Sequence, residues 1–514
     1  MSSTTSKAAS KAPSTSDLLK RSLAHYERMV DISNASSILG WDQEVLMPPG
    51  GAEVRARTLA ELSRLSQEFA GDKAFARDVR ALAKAKDGLK NQERRTVELL
   101  ERRVKDATAV PPELAAEFAV IKSHALEAWK AARTTNDFGR FAPHLEKVVA
   151  MNRKIAAAKA GKKGQPYDAL LDIYEPGATM AEIDPVLGEL RDLTVPLVEQ
   201  VRKARTKIDM RPLVGKFDPE QQRAFVKDVV VAMGIDLERG RLDVSTHPFC
   251  GGVGPVDVRM TGRFDPQDLR GGLFGAVHEA GHGLYEQGLD PKRARHPLGG
   301  AISMSIHESQ SRLWENQIAR SRSFWKHWLP KLKKRFGAQV KSVDLETMWR
   351  AANRLGPSMI RVESDELTYN LHIVLRYELE RDLISGDLKV KDVPARWNAA
   401  MQARLGLTPK NDSEGCLQDI HWAMGAIGYF PTYSLGNLYS AQIMEAAREA
   451  LPDLDAQIAK GEMQPLREWL RKEIHRHDRV YTAAEIVKRV TGKPLSADPF
   501  RRYITGKVDA LYPK

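Results

Sequence analysis

Two histidines four residues apart, His278 and His282, are the residues best suited to do chemistry in this sequence. On a helix they lie one turn apart on the same face, so both imidazoles can reach one metal ion. Glu279 follows the first histidine, where its carboxylate can take a proton from a water molecule at the metal. The pattern predicts the active-site helix of a metalloprotease. The simpler alternative is a surface helix with hydrogen-bonded histidines.

The surroundings of this motif favour a metal site. Gly281 and Gly283 are small, so that another element can pack close to the metal. Glu308 lies 26 residues after His282 (308 − 282), on a second helical run, which suits a helix–turn–helix return. Two histidines and one carboxylate leave the fourth position of a zinc ion open, as in catalytic sites. We therefore expect zinc, although cobalt or manganese suits the same donors.

The composition limits the class of protein. A chain of 514 residues can bury a large core, and two cysteines, Cys250 and Cys416, are too few for a disulfide framework. This favours a reducing compartment, and we expect a cytoplasmic protein. The sequence contains no apolar run of about 18 residues that would predict a membrane span, and no secretory signal.

The first 16 residues are rich in Ser, Thr, Lys and Ala, which predicts a disordered tail. The tail lacks acidic residues, as transit peptides do, but it also lacks arginine, so a transit peptide is weakly supported.

The net charge of +12 comes from 79 basic and 67 acidic residues. Most of them alternate along helical patterns, as in residues 91–103, where i,i+4 pairs on solvated faces account for them. The densest basic stretch, residues 159–164, is short and contains glycine. We therefore expect no nucleic-acid partner. An anionic ligand such as a peptide carboxylate is compatible with the charge.

Helical spacing dominates the chain and predicts a mainly α fold with one small β-sheet beside the metal-binding helix. The clearest strand-like alternation is residues 254–264, bounded by glycines. Residues 17–514 are expected to form a single domain, with a break near 207–220 between an N-terminal helical half (about 17–210) and a catalytic half (about 211–514). The predicted helical runs are 16–39, 52–69, 93–103, 111–133, 141–159, 271–287, 302–325, 345–385, 393–405 and 440 to the C-terminus.

Two polar motifs flank the predicted strand. His247 precedes a proline and a phenylalanine, and Arg259 lies in the string Asp257-x-Arg-x-Thr261. An edge strand at this place could hold a peptide by main-chain pairing. The structural alternative is a proline-turned hairpin with a solvated arginine.

Arg361 is a candidate for bidentate binding of a substrate's terminal carboxylate. It lies in a predicted helical run, where Asp365, four residues further on, offers an ordinary helix ion pair instead. The residues alone leave these two roles open.

Two segments rich in glycine, proline and aromatic residues, 415–422 and 428–433, are predicted to connect helices. In them His421 or Tyr433 could donate a hydrogen bond to the oxyanion that develops when a peptide carbonyl is attacked. Core packing is the favoured role of the neighbouring residues Trp422 and Phe430. Residues 41–51 are predicted to form a structural loop between two helices.

Taken in order, these segments resemble the carboxypeptidase Taq family of metallocarboxypeptidases. Further similarity runs from Trp41 to Tyr512, so the likeness covers nearly the whole chain after the tail. Six ordered motifs are far more specific than one His-Glu-x-x-His. Ser364 stands where alanine is expected, which is a small departure. The matching strings are His247-Pro-Phe, Asp257-x-Arg-x-Thr261, His278-Glu-x-x-His282, His307-Glu-Ser-Gln310, Ile360-Arg-x-x-x-Asp365 and Gly415-x-x-Gln-Asp-x-His-Trp422.

The resemblance implies a large helical fold with a deep substrate groove, usually as a homodimer. It implies removal of single residues from the free C-termini of peptides, with broad specificity and poor action near proline. One divalent metal per chain would be bound by His278, His282 and Glu308, with Glu279 as the base.

The resemblance also implies roles for the other motifs. Arg361 would bind the substrate carboxylate, and His421 and Tyr433 would lie near the scissile carbonyl. His247 and Arg259 would shape the end of the groove that limits the position of the substrate.

Two other functions remain open at this point. A zinc endo-oligopeptidase would share the His-Glu-x-x-His motif and the distal glutamate, but it would still cleave an amidated peptide internally. A helical scaffold or binding protein with a vestigial metal site would bind metal without hydrolysing peptides.

Overall fold

The computed structural model describes residues 13–161 and 164–513. The predicted tail, up to Ala12, lies outside the described residues. Its last residues already belong to the first helix, which begins at Thr15 and is capped by Ser14. The Ser14 hydroxyl accepts from the N–H of Asp17, and the Asp17 carboxylate accepts from the N–H of Ser14. This reciprocal capping box satisfies backbone donors that the first turn leaves unpaired.

The described residues divide into two compact units, one formed by residues 13–109 with 292–299 and the other by the remaining described residues. This division falls at residue 109, away from the break predicted near 207–220, and the single-domain organisation stays a prediction. The helices of the first unit are α1 (Thr15–Val45), α2 (Ala52–Ala70), α3 (Lys73–Ala85) and α4 (Asn91–Ala109).

Within the first unit, α1, α3 and α4 bury a small apolar core that includes Met29, Phe75 and Leu100. The loop predicted at residues 41–51 is shorter than expected, because α1 continues to Val45 and buries Trp41. Two consecutive prolines then end the helical path, since the residue before a proline is disfavoured in the α conformation.

The second unit contains the remaining helices and the only sheet among the described residues. Its α8 was not predicted, because Pro185 and Pro196 inside it argue against a helix. Its helices are α5 (Pro112–Thr135), α6 (Phe138–Ala160), α7 (Pro166–Tyr174), α8 (Met180–Lys203), α9 (Pro219–Met233), α10 (Leu269–Gly288), α11 (Met304–Arg312), α12 (Arg322–Phe336), α13 (Leu345–Ala352), α14 (Tyr369–Ser385), α15 (Val393–Leu405), α16 (Pro431–Ala450), α17 (Leu454–Lys460), α18 (Gln464–Glu473), α19 (Ala483–Thr491) and α20 (Asp498–Leu511).

Three long predicted helical runs are interrupted. The run from 440 to the C-terminus comprises the end of α16 and then the separate helices α17 to α20. The run 345–385 is wrong as one helix, because α13 ends at Ala352 and α14 begins only at Tyr369, with Pro357 between them. The run 302–325 consists of α11, a π-helical segment at Leu313–Ala319 and then α12. A π-turn changes the register of the side chains that follow it, and hydrophobic spacing does not reveal it.

The sheet has three strands, β1 (Gly240–Val244), β2 (Cys250–Gly252) and β3 (Val258–Gly262), in the order β1-β3-β2. The central strand β3 is parallel to β1 and antiparallel to β2. The sequence predicted only the region of β3, because β2 is a three-residue Cys-Gly-Gly strand too short to show alternation.

The sheet lies beside α10, as predicted. A Cβ added at Gly283 of α10 would come within 2.8 Å of the sulfur of Met260 on β3, so the helix and the sheet pack closely. The mainly α fold with one small sheet is confirmed. Across the described parts of the chain, none of the helices has the length and apolar character needed to cross a membrane.

Candidate metal centre

The side chains of His278, His282 and Glu308 meet at one point. Nε2 of each histidine lies 3.5 Å from Oε2 of Glu308, and the three ligand atoms all lie within 4.8 Å of one another. At 3.5 Å these atoms are too far apart for good hydrogen bonds, but they can surround one ion. The structure therefore brings together the three predicted ligands.

Two glycines allow the helices around this point to approach closely. A Cβ at Gly281 of α10 would lie 2.6 Å from Cα of Ser311, so that only glycine lets α10 lie directly against α11. A Cβ at Gly436 of α16 would lie 2.6 Å from Cγ of Glu308. These contacts fix the position of Glu308 relative to the histidine pair.

Each histidine is held through Nδ1, which leaves Nε2 to face the common point. Nδ1 of His278 lies 3.0 Å from Oε2 of Glu315, in the π-helical segment. Nδ1 of His282 lies 3.1 Å from the carbonyl oxygen of His307, whose own Nε2 faces Glu286 at 2.8 Å. Contacts of this kind orient metal-binding imidazoles and select their tautomer.

A buried charge network surrounds the carboxylates. Arg312 donates to Oε1 of Glu308 at 2.6 Å and to Oε2 of Glu315 at 3.1 Å, and Arg320 donates to Oε1 of Glu315 at 3.0 Å. Burial opposes ionisation of both glutamates, but Arg312 and the histidines outweigh it and hold both pKa values below their usual range. Glu308 is therefore ionised and suited to bind a cation.

Glu279 is nearly buried, with 8% of its surface exposed. Burial is the largest effect and raises the pKa of its carboxyl to about 7, with a further contribution from Glu308, while His278 opposes the shift. A carboxylate with a pKa near neutrality is suited to accept a proton and to return it. Two imidazoles, one ionised carboxylate and this acid together fit a catalytic divalent metal.

Arg361 lies in a short 3-10 turn, Arg361–Glu363, and not in a helix. The ion pair with Asp365 is wrong, because the Asp365 carboxylate accepts from the N–H groups of Gly356 and Thr368. Arg361 instead donates from Nε and Nη2 to Oδ1 of Asp419, at 3.0 and 2.8 Å.

Tyr369 connects Arg361 with the predicted metal-binding residues. Its hydroxyl accepts from Nη1 of Arg361 at 2.9 Å, and the guanidinium carbon of Arg312 lies 4.8 Å from the centre of its ring. Arg312 in turn donates to Glu308. Arg361 is thus linked to a predicted metal ligand through two side chains.

His421 and Tyr433 also lie near Arg361. The guanidinium carbon of Arg361 is 5.3 Å from the centre of the Tyr433 ring, and the His421 and Tyr433 ring centres are 6.4 Å apart. Tyr433 is in the first turns of α16, which begins at Pro431, so it belongs to a helix and not to the predicted loop. Gly436, three residues after Tyr433, packs against Glu308. Tyr433 and Gly436 therefore lie on the same face of α16.

The aromatic neighbours of His421 have the structural role predicted for them. Trp422 and Phe430 are buried in the main hydrophobic core, and the Phe430 ring packs against His421 with ring centres 4.5 Å apart and ring planes tilted by 38°. Burial lowers the pKa of His421 to about 4, and the nearby carboxylate of Asp419 opposes this shift.

His247 and Arg259 lie at the small sheet. His247 is exposed, and its carbonyl accepts from the Ser245 hydroxyl at 2.7 Å. Arg259, on β3, donates from Nε and Nη2 to the Asp257 carboxylate, at 2.8 Å each. Their role at the groove end stays a prediction.

The sequence interpretation missed several residues of this region. Glu315 carried no signal, because the π-helical segment that places it cannot be recognised from hydrophobic spacing. Arg312, the last residue of α11, was also missed. Asp419 belongs to the motif at residues 415–422, but the sequence did not indicate its role. Arg376, on α14, could have been found, since an arginine within a buried helix needs a partner, and its partner is Asp419 at 2.6 Å.

Comparison with known proteins identifies the family of this chain. Residues 21–508 match the family model of carboxypeptidase Taq (M32) metallopeptidases. Thermostable carboxypeptidase 1 of Thermus thermophilus is 39% identical over 494 residues, covering 94% of this chain and 96% of that protein. Carboxypeptidase 1 of Bacillus subtilis is 37% identical over 496 residues, covering 96% of this chain and 97% of that protein.

Solved structures show the same relationship. The crystal structure of the M32 carboxypeptidase from Deinococcus radiodurans R1 has a TM-score of 0.93 and 38% sequence identity, covering 97% of this chain and all of that one. Metallocarboxypeptidase 1 of Trypanosoma cruzi has a TM-score of 0.92 at 32% identity. It covers 98% of this chain and 100% of that one. The chain therefore belongs to the carboxypeptidase Taq (M32) family and is a metallocarboxypeptidase.

Proposed function

We propose that this metallocarboxypeptidase releases single residues from peptides with a free C-terminus, with broad specificity, and that Arg361 binds the terminal carboxylate. The observation that carries the proposal is the sharing of one carboxylate by two buried arginines. Asp419 accepts from Arg361 through Oδ1 and from Arg376 through Oδ2. Two guanidinium groups against one carboxylate leave a net positive charge, which attracts the anionic end of a peptide.

Arg361 also retains hydrogen-bonding capacity. A guanidinium group has five N–H donors, and the contacts with Asp419 and Tyr369 use three of them. The two other donors match the two oxygens of a carboxylate in a planar, bidentate arrangement. An anchor of this kind favours an exopeptidase, because an internal peptide bond offers no such anion.

His278, His282 and Glu308 would hold the metal, for which we propose zinc, with cobalt or manganese as alternatives. When bound, the metal supplies Lewis acidity at the scissile carbonyl and activates water. Glu279 takes a proton from the attacking water and delivers it to the leaving amine. His421 or Tyr433 donates a hydrogen bond to the developing oxyanion.

The test is mass spectrometry of one peptide and its C-terminal amide, each incubated with metal-loaded protein and with a chelated control. The proposal expects single-residue losses from the free-acid peptide only, abolished by the chelator. Internal fragments from both peptides would identify an endo-oligopeptidase instead. Intact peptides with demonstrably bound metal would favour a binding protein with a vestigial metal site.

We further propose a cytoplasmic homodimer that binds peptides in a groove whose end is shaped by His247 and Arg259. Support for a reducing compartment is that neither Cys250 nor Cys416 forms a disulfide. Sedimentation equilibrium measures the oligomeric state, and a monomer at micromolar concentration would contradict the dimer. The substitutions His247→Ala and Arg259→Ala shorten these side chains. They should therefore change the range of peptide lengths that the enzyme cleaves.

A further inference from the structure

Asp419 lies between the proposed carboxylate-binding residue and the proposed oxyanion donor. Its Oδ1 accepts two hydrogen bonds from Arg361, at 3.0 and 2.8 Å. Nδ1 of His421 lies 4.0 Å from the same oxygen, beyond hydrogen-bond distance. Oδ1 of Asp419 therefore faces both Arg361 and His421, and it is hydrogen-bonded only to Arg361.

The other oxygen of Asp419 is fixed. Oδ2 accepts from Nε of Arg376 at 2.6 Å, and the Arg376 side chain is completely buried. Arg376 also donates to Oε1 of Gln418 at 2.8 Å and to the carbonyl of His372 at 2.7 Å. Because Arg376 is held on three sides, only the Oδ1 end of the carboxylate is free to change partners.

The imidazole of His421 lacks one hydrogen bond. Its Nδ1 is buried and has no hydrogen-bond partner among the described residues. A buried polar atom without a hydrogen-bond partner destabilises the folded protein. The titratable and charged groups that face this imidazole are Asp419, Arg361, Arg376, Tyr429 and Tyr433.

We propose that Asp419 is a positioning residue that couples the two sites. When a substrate carboxylate binds Arg361, Oδ1 of Asp419 shifts to Nδ1 of His421, and His421 takes up one proton from solvent. The imidazolium then donates from Nδ1 to Asp419 and from Nε2 to the scissile carbonyl oxygen. The inference rests on the proposed function, because it takes Arg361 as the carboxylate anchor.

The charges around His421 support this coupling. After burial, Asp419 is the largest influence and raises the pKa of His421, while Arg361 and Arg376 lower it. A substrate carboxylate neutralises the charge of Arg361 and weakens the hydrogen bonds from Arg361 to Asp419. Both changes favour the imidazolium form of His421. A peptide without a free carboxylate would leave His421 neutral. The enzyme would then distinguish free-acid peptides from blocked peptides in the catalytic step as well as in binding.

The test measures proton uptake on binding by titration calorimetry of the zinc-loaded protein, in buffers of different ionisation enthalpy, between pH 5.5 and 7. The probes are 3-phenylpropanoate and 3-phenylpropanamide, which have no scissile peptide bond. We expect a measurable fraction of one proton taken up for each carboxylate bound, rising as the pH falls, and none for the amide. His421→Asn and Asp419→Asn should bind the carboxylate without this uptake, whereas the control His327→Asn should retain it.

The outcomes separate the two proposals. Binding of the carboxylate without proton uptake, or equal uptake in His421→Asn, would overturn the coupling and leave the carboxylate site intact. Equal affinity for carboxylate and amide, unchanged in Arg361→Ala, would overturn both the coupling and the proposed role of Arg361. His421→Asn keeps the test decisive if Asp419→Asn fails to fold.

Discussion

Glu315 lies 3.0 Å from Nδ1 of His278, and this contact directs Nε2 of the same imidazole towards Glu308. Glu315 stands in the π-helical segment Leu313–Ala319 that continues α11, the helix that carries Glu308. One continuous stretch of chain therefore supplies a predicted metal ligand and the group that orients another. Arg312, between them, donates to both carboxylates.

The first prediction concerns Glu315→Gln. The amide cannot carry the negative charge that orients and polarises His278, so the affinity for zinc should fall about 10–100-fold, as for other outer-shell partners of metal ligands. Competition with a chromophoric chelator measures the affinity independently of peptide hydrolysis. Glu346→Gln, at an exposed ion pair with Arg322, is the matched control. Equal zinc affinity in all three proteins would contradict a positioning role for Glu315.

The second prediction concerns Glu279→Gln. With a pKa near 7, Glu279 is partly protonated in the metal-free protein at neutral pH. A nearby divalent cation favours the carboxylate, so zinc binding at pH 6.5 should release part of a proton from this group. Calorimetry in buffers of different ionisation enthalpy should show less proton release in Glu279→Gln. The variant should bind zinc but lose activity by orders of magnitude, and unchanged turnover would rule out this base.

Much of this site could be predicted from the sequence, because its parts are local or ordered motifs. The spacing of His278 and His282 places both on one helix face whatever the fold, and Glu308 follows on the next helical run. What could not be predicted depends on contacts between distant segments. Asp365, four residues after Arg361, was a candidate partner in the sequence, but Arg361 pairs with Asp419 instead.

The helices of the fold could also be predicted only in part. Many helices with one apolar face were found, but α3, α7 and α9 were not. The helix α14, which is buried on nearly all sides, merged with α13 into one predicted run. Without a polar face, hydrophobic periodicity does not show where such a helix begins. The glycines that bring α10, α11 and α16 together were recognised only in part, since Gly436 has no local signal.

The third prediction concerns Arg361→Ala. A charge-assisted hydrogen bond contributes about 1.5–3 kcal/mol, so loss of a bidentate contact should lower kcat/KM for free-acid peptides by roughly a hundredfold or more. Steady-state kinetics measure this loss, with the exposed Arg211→Ala as the control. Stability should change less, because Asp419 keeps its pair with Arg376. If any residual cleavage of amidated peptides falls by the same factor, Arg361 does not recognise the terminal carboxylate.

The fourth prediction compares two glycines of α10. Gly281→Ala would place Cβ 2.6 Å from Cα of Ser311 and 2.8 Å from the carbonyl oxygen of Gln310, both backbone atoms that cannot move alone. Overpacking of this kind costs about 1–3 kcal/mol and should displace α11, which carries Glu308, so zinc affinity should fall as well. Gly275→Ala is the control in the same helix, since its Cβ would meet no atom within 4 Å among the described residues outside the neighbouring turns of its own helix.

The control should be slightly stabilising, by up to about 1 kcal/mol, because alanine is the better helix former. Urea unfolding of the metal-free variants gives both changes in free energy. Equal effects of the two substitutions would show that the close approach of α10 and α11 is not needed.

The last prediction concerns the pH dependence of stability and Glu380, which is completely buried on α14. Its carboxylate accepts from the indole N–H of Trp422, the N–H of Gly428 and the hydroxyl of Tyr167, each at 2.8 Å. Burial is the largest effect and raises its pKa to about 7, while these three donors oppose the shift. Glu380 therefore holds together the two segments that carry His421 and Tyr433.

The sign of the effect follows from the raised pKa. Between the ordinary value near 4.5 and about 7, the folded protein keeps a proton on Glu380 that the unfolded chain has released. The contribution of this group to stability is therefore complete below pH 4.5 and is lost as the pH rises through 7, by about 1.4 kcal/mol for each pKa unit. Glu380→Gln cannot titrate, so the difference in unfolding free energy between wild type and variant should change with pH across this window. Urea unfolding of the metal-free proteins at pH 5 and 7.5 measures that difference, and a value independent of pH would contradict the raised pKa of Glu380.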